Sequence, residues 1–205
     1  MTQIQMNMNN RKTALILLGG MATRAGNRPK YLLIHKGESF LNRQIKILKE
    51  VTDEIILSCR NEDQCREIPN YAGYQMVIDN TLGMGPTEGL KAGALAARGE
   101  YIFVAACDMP FLSAPIISYL FDRAKSADAA IPSWEDGKIE PLHAVYRRDA
   151  LLQYFATHSS RRLFEISKNI DTVIVPVEEI RHLDPYLQSF TNINDLESFS
   201  KLQKE

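Results

Sequence analysis

A chain of 205 residues with 45% hydrophobic residues and a formal net charge of −1 has enough apolar material for one well-buried domain and is short for two. That charge balance gives no electrostatic reason to expect a nucleic-acid partner. No apolar run approaches the ~20 residues of a membrane span, so no membrane association is expected.

The first ten residues are polar, rich in Asn, Gln and Met, and lack an apolar h-region. They read as a flexible tail without a secretory signal, ahead of a single domain over 11–205. The three cysteines, Cys59, Cys65 and Cys107, show no C-x-x-C spacing, which argues against a disulfide framework or zinc site and suits a reducing cytoplasm. The four histidines are scattered and form no H-E-x-x-H pair.

In chain order, Ala14–Leu18 has the length of a buried strand and breaks into Gly19-Gly20. Arg24, Gly26, Arg28 and Lys30 follow. Glycine permits φ > 0 and removes the Cβ that would hold an anion away from backbone N–H groups. Arg24 and Lys30 would then meet phosphate oxygens, one as a planar fork and the other as a point charge. The stretch is neither a P-loop nor a dinucleotide fingerprint. Taken alone it also reads as an ordinary surface turn.

His35-Lys36-Gly37-Glu38 is a polar turn, and Ser39 caps a helix to about Val51. Glu54–Ser58 is a short buried strand, Asn61–Ile68 a short helix, and Gln75–Ile78 a strand with Asp79 just past its end. Thr81–Gly85 is a Gly-rich loop, and Pro86 opens a helix that runs to about Ala97. Tyr101–Ala106 is the most apolar strand, followed directly by Cys107-Asp108-Met109-Pro110. Ser113 caps a helix to about Lys125. Strands at Ala127–Ile131, Ile139–Tyr146 and Thr172–Pro176, helices at Arg148–Thr157 and Ser160–Lys168, and a C-terminal helix over Asn194–Leu202 complete the reading.

Short strands alternating with helices predict an α/β, Rossmann-like three-layer fold with a mainly parallel sheet. Ligands of such sheets bind beyond the C-terminal strand ends. The glycine loop, Asp79 and Asp108 each follow a strand, so they are expected on one edge. A carboxylate there, beside phosphate, suits Mg²⁺, which takes one or two carboxylates plus phosphate oxygens and water. In isolation Asp108 also reads as a cap of the turn before Pro110.

The segment LLGGMATRAGNRPKYLL resembles the L-x-G-G-x-x-x-R-x-G-x-x-x-K signature of nucleotidyltransferases. VIDN with GMGPTEGLKAG, ACDMPFL, EPLHAVYRR and FTNINDLESF follow in the order found in the molybdenum cofactor guanylyltransferases. By this resemblance, Leu17, Leu18, Gly19 and Gly20 would line the nucleotide, Lys30 would bind the triphosphate, and Ser58 would lie beside the nucleotide. Asp79 would contact the guanosine at base or ribose, and Asp108 would hold Mg²⁺. Lys30, Arg24 and Asp108 would carry catalysis. The implied reaction transfers GMP from GTP to molybdenum-bound molybdopterin, with cofactor-synthesis or acceptor proteins as further partners.

Three departures from the family pattern stand out. Ala25 replaces the usual Met, Thr87-Glu88 replaces Leu-Ala, and Arg28-Pro29-Lys30-Tyr31-Leu32 also resembles cytidylyltransferases. They leave open a molybdopterin cytidylyltransferase, another small-molecule phosphate nucleotidyltransferase, or a nucleotide- or cofactor-binding module without turnover. Arg161-Arg162 are candidate contacts for the acceptor phosphate, with solvated surface arginines as the alternative reading.

Overall fold

The computed structural model of the chain describes residues 11–19, 29–68, 73–79, 85–160 and 162–193. The N-terminal tail, Gly20, Arg24, Gly26, Arg28, Arg161 and the C-terminal helix expected from Asn194 lie outside the described residues.

A seven-stranded sheet organises the rest. Its parallel half is β1 (Lys12–Leu17), β4 (Glu54–Cys59), β5 (Gln75–Ile78) and β6 (Tyr101–Ala106), in the order β5-β4-β1-β6. Beyond β6 lie β8 (His143–Arg147), β7 (Ala129–Ser133) and β9 (Thr172–Pro176). β8 runs antiparallel to both β6 and β7, and β7 pairs parallel with β9. β7 therefore points the same way as β6, and its C-terminal end reaches the same edge as those of β1 and β6. The one reversed strand has a topological cause. A helical crossover carries the chain from β6 past one strand position to β7, and the short return from Ser133 to His143 can fill that gap only as a hairpin-like antiparallel strand. The strand expected over Ile139–Tyr146 begins later, at His143, and Ile139 makes only an isolated bridge to Ser133.

Alternation along each strand feeds two layers of helix. Ala14 and Ile16 of β1 face one layer with Leu57, Phe103, Ala105 and Val145. α1 (Phe40–Val51) and α4 (Ala114–Ala124) cover that face with Leu41, Ile45, Leu48, Ile116, Ile117, Leu120 and Phe121. Leu15 and Leu17 face the other, with Ile56, Ile102, Val104 and Tyr146. α3 (Pro86–Ala96), α5 (Arg148–Thr157) and α6 (Leu163–Asn169) cover it with Leu90, Ala94, Leu151, Tyr154, Leu163 and Ile166. Each such fully buried aliphatic contributes about 1.5–3 kcal/mol. The result is the three-layer α/β architecture expected from the alternation of strands and helices.

Local chemistry fixes the helix starts. Ser39 accepts a hydrogen bond from the Asn42 N–H (3.2 Å), and Asn61 Oδ1 caps α2 (Glu62–Glu67) through the Gln64 N–H (2.9 Å). Ser113 holds the N-cap position of α4 with no side-chain bond, and Pro115 follows in the first turn. The polar turn at Lys36-Gly37 joins two short paired strands, β2 (Ile34–His35) and β3 (Glu38–Ser39), with both turn residues at positive φ. The second helix after β8 starts at Leu163 rather than Ser160, and a short α7 (Val177–Ile180) follows β9.

Candidate active site

The C-terminal edge of the parallel half is stitched together by backbone. The Leu18 N–H donates to Ser58 O (2.9 Å), the Asp79 N–H to Cys59 O (2.9 Å), and the Cys107 N–H to Leu17 O (3.3 Å). These bonds carry the parallel ladder one residue past β1, β5 and β6. Gly19, Asp79 and Asp108 are thereby held close to neighbouring strand ends.

Lys30 opens a single 3-10 turn, Lys30–Leu32, and its Nζ lies 3.0 Å from Asp108 Oδ2. Both side chains are about one-fifth exposed. The other oxygen, Asp108 Oδ1, is buried and accepts no hydrogen bond among the described residues. A buried carboxylate oxygen without a donor is costly in a protein interior, and a cation is a natural complement. That oxygen fits a hard divalent ion such as Mg²⁺. No cluster of three or more His, Cys, Asp or Glu occurs among the described residues, so substrate oxygens and water would supply the remaining ligands.

A second group forms at β4, β5 and the start of α3. Ser58 Oγ donates to Asp79 Oδ1 at 2.8 Å. Gly89 packs against both. A Cβ at that position would lie 2.7 Å from Ser58 Oγ, 3.0 Å from Leu17 Cδ2 and 3.1 Å from Asp79 Oδ1. A Cβ at Gly19 would lie 3.2 Å from Asp79 Oδ2. Burial raises the Asp79 carboxyl above its usual range; the Ser58 hydroxyl opposes this, and the nearby Glu88 carboxylate adds to it. Gly85, the N-cap of α3, sits at φ +76°, a conformation that suits glycine.

The structure thus brings together Leu17, Leu18, Gly19, Ser58 and Asp79 as one group and Lys30 with Asp108 as another, along adjacent strand ends. Arg162 is exposed at the N-cap of α6, its N–H bonded to Ser160 Oγ (3.1 Å).

Two glutamines escaped the sequence reading. Gln44 of α1 is fully buried, and its Nε2 donates to Ala106 O (2.7 Å) and Met109 O (2.9 Å), bracketing Asp108. Gln64 of α2 donates to Leu18 O (3.0 Å) and accepts from the Arg60 N–H (2.7 Å), fixing the entry to the glycine segment. The only sequence signal was a polar amide on an otherwise apolar helix face, as at Gln44. The backbone of the closing segment also takes part, because the Ile193 N–H donates to Asp108 O at 2.9 Å.

Residues 14–173 match the model of the MobA-like NTP transferase domain. The chain belongs to this family. It is 37% identical to a probable molybdenum cofactor guanylyltransferase of Methanosarcina acetivorans, over 98% of this chain and 94% of that one. It is 30% identical to the molybdenum cofactor guanylyltransferase of Syntrophotalea carbinolica, over 94% of this chain and 91% of that one. The fold matches the crystal structure of molybdopterin-guanine dinucleotide biosynthesis protein A from Archaeoglobus fulgidus with a TM-score of 0.78 at 24% identity, over 94% and 97% of the two chains. As a MobA-like NTP transferase domain, the protein is a nucleotidyltransferase, and the edge described above is where such a fold presents ligands.

Proposed function

We propose that the protein transfers GMP from GTP to the terminal phosphate of molybdenum-bound molybdopterin, giving the guanine dinucleotide form of the cofactor and pyrophosphate. Residues 11–205 would act as one unit, in the cytoplasm. The observation that carries the reading is the pairing of Lys30 with one oxygen of Asp108 while the other stays buried and has no partner among the described residues, beside the end of β1. The names of relatives that cover nearly the whole chain support the choice of substrates.

In the reaction an acceptor phosphate oxygen forms a bond to the α-phosphorus of GTP, and the bond from that phosphorus to the bridging oxygen breaks, releasing pyrophosphate. The acceptor phosphate is anionic at neutral pH, so no general base is needed. Alignment for in-line attack and neutralisation of charge account for the rate. Asp108 Oδ1 would hold Mg²⁺, which when bound offsets charge on the phosphate oxygens. Lys30 would neutralise the triphosphate, joined by Arg24. Leu17, Leu18, Gly19 and Gly20 would line the nucleotide with backbone. Asp79, steadied by Ser58, would accept hydrogen bonds from the guanine N1–H and 2-amino group or from the ribose.

The test is pyrophosphate release with each of the four NTPs, with and without molybdopterin. GTP should be preferred and acceptor required. Preference for CTP would move the assignment to a cytidylyltransferase, and tight GTP binding without turnover under any acceptor would make the chain a binding module.

A further inference from the structure

The strand ends lie in a line. Asp79 and Ser58 stand at β5 and β4, the glycine segment at β1, and Asp108 at β6. The proposed nucleotide site ends there, yet the edge continues across β8 to β7 and β9. At its far end a cleft of about 620 Å³ opens between the β7–β8 connection and α7.

The wall of this cleft is Trp134, directly after β7. Its ring is half-buried and held in one orientation. The indole Nε1 donates to Glu140 Oε1 at 2.7 Å, and the ring meets Phe190 edge-on with centroids 5.7 Å apart. The turn beneath it is closed by Trp134 N–H to Lys138 O (2.8 Å) and Gly137 N–H to Trp134 O (2.9 Å), with Gly137 at φ +82°. An aromatic side chain fixed this firmly and left partly open is a stacking platform prepared before a ligand arrives.

The charges on the walls specify what stacks there. Glu135, Asp136 and Glu178 line the cleft together with Lys138 and Arg181. The two cations are already engaged. Lys138 Nζ bonds Glu140 Oε1 (2.9 Å), and the Arg181 guanidinium grips Glu178 through two nitrogens. What remains is an aromatic face with the carboxylates of Glu135 and Asp136 on its rim, suited to a flat heterocycle with N–H donors and ill suited to an anion. A pterin has that character, since its 2-amino-4-oxo edge presents a ring N–H and an amino group side by side.

We infer that the Trp134 cleft seats the pterin ring of the acceptor, with its phosphate reaching back to Asp108. The inference rests on the function proposed above and extends it to the acceptor half of the site. The span is compatible. β6 and β7 are two strand positions apart, about 10 Å at the usual spacing. A short connection also joins the two ends, because the Ala106 N–H donates to Leu142 O (3.2 Å), two residues from Glu140. Trp134 is on this reading a specificity-determining contact and Glu140 the residue that positions it.

The chain contains one tryptophan, so its indole N–H gives a single resonance in a proton–nitrogen correlation spectrum. Neopterin monophosphate should shift that resonance saturably, whereas GTP with Mg²⁺ and ribose 5-phosphate should not. Trp134→Ala should raise the KM for molybdopterin about tenfold or more, the usual scale of one lost stacking contact, and leave the KM for GTP unchanged. Trp134→Phe should restore most of the loss, and Glu135→Gln, exposed on the rim, should also raise only the acceptor KM. An unmoved indole resonance under saturating neopterin monophosphate, together with an unchanged acceptor KM in folded Trp134→Ala and in Glu135→Gln, would overturn the inference. Because the spectrum needs no turnover, this outcome is separable from failure of the guanylyl-transfer reading, which would appear as absent pyrophosphate release in the unaltered protein.

Discussion

Lys30 Nζ and Asp108 Oδ2 lie 3.0 Å apart although 78 positions separate them in the chain. The contact is made possible by β1 and β6 being adjacent and in register, so that the segments leaving both strands emerge side by side. An ammonium and a carboxylate whose second oxygen has no partner among the described residues sit where backbone amides leave β1.

Gly89 and Gly93 stand one helical turn apart on α3, and the same substitution should have different consequences at each. Alanine in a helix interior normally gains about 1 kcal/mol over glycine. At Gly93 the new Cβ would lie 2.3 Å from Leu15 Cδ2 in the fully buried core, so Gly93→Ala should destabilise by about 1–3 kcal/mol in urea unfolding. At Gly89 it would displace the Ser58–Asp79 pair, so Gly89→Ala should raise the KM for nucleotide severalfold while the unfolding midpoint changes little.

Asp79 offers a pH test. Its carboxyl is raised above 3.8 by burial and by Glu88, and lowered by the Ser58 hydroxyl. An acid with a raised folded pKa binds its proton more tightly in the native state. Its contribution to stability is therefore present below 3.8 and is lost as pH rises through the folded value. For function the sign is opposite, because the ionised form is the hydrogen-bond acceptor. The acid limb of kcat/KM for GTP should move to higher pH in Ser58→Ala and to lower pH in Glu88→Gln. A profile that stays put in both variants would separate Asp79 from nucleotide binding.

Gln44 should couple stability to activity. Replacing it with methionine, close in shape, removes the amide donor to the Met109 carbonyl and leaves the Ala106 carbonyl only the Met109 N–H (3.3 Å), at the bend that carries Asp108. The cost is about 1–3 kcal/mol for each buried acceptor left unmatched. Gln44→Met should lower the unfolding midpoint and also lower kcat at temperatures where the variant is fully folded. A loss of stability with kcat unchanged would assign Gln44 to packing alone.

His143 is fully buried between the rings of Phe103 and Phe190, and neither ring nitrogen has a partner among the described residues. Burial pushes its imidazole from 6.5 down to about 3. The depressed value means that the unfolded chain takes up a proton first as pH falls. Stability is thus full above 6.5 and is lost progressively between 6.5 and about 3. His143→Phe should flatten this dependence, so that its stability relative to the unaltered protein improves from pH 8 to pH 5 in parallel urea titrations.

The parts of this molecule that were legible in the sequence are those governed by local chemistry. Apolar runs such as Leu15–Leu17 and Tyr101–Ala106 mark buried strands because both faces of each are covered. Ser39 and Asn61 mark helix starts because their side chains satisfy exposed N–H groups. The placement of Asp79 and Asp108 on one edge follows from strands running parallel. What was not legible depends on distant partners. The reversal of β8 follows from where the crossover leaves a gap, and no residue in His143–Arg147 encodes it alone. Gln44 and Gln64 act through carbonyls 62 and 46 positions away, and carbonyls carry no sequence signal. The short α7 and the Trp134 cleft arise from the packing of β9 beside β7.

The central claim is that Lys30 and a Mg²⁺ ion held by Asp108 would neutralise the same triphosphate during nucleotidyl transfer. The most direct measurement is steady-state pyrophosphate release from GTP with molybdopterin and Mg²⁺ in the unaltered protein, Asp108→Ala and Lys30→Ala. Each substitution should lower kcat by about 10²–10³, the scale expected for removing one charge-stabilising group, while both variants remain folded. Near-normal release by folded Asp108→Ala protein would contradict the account.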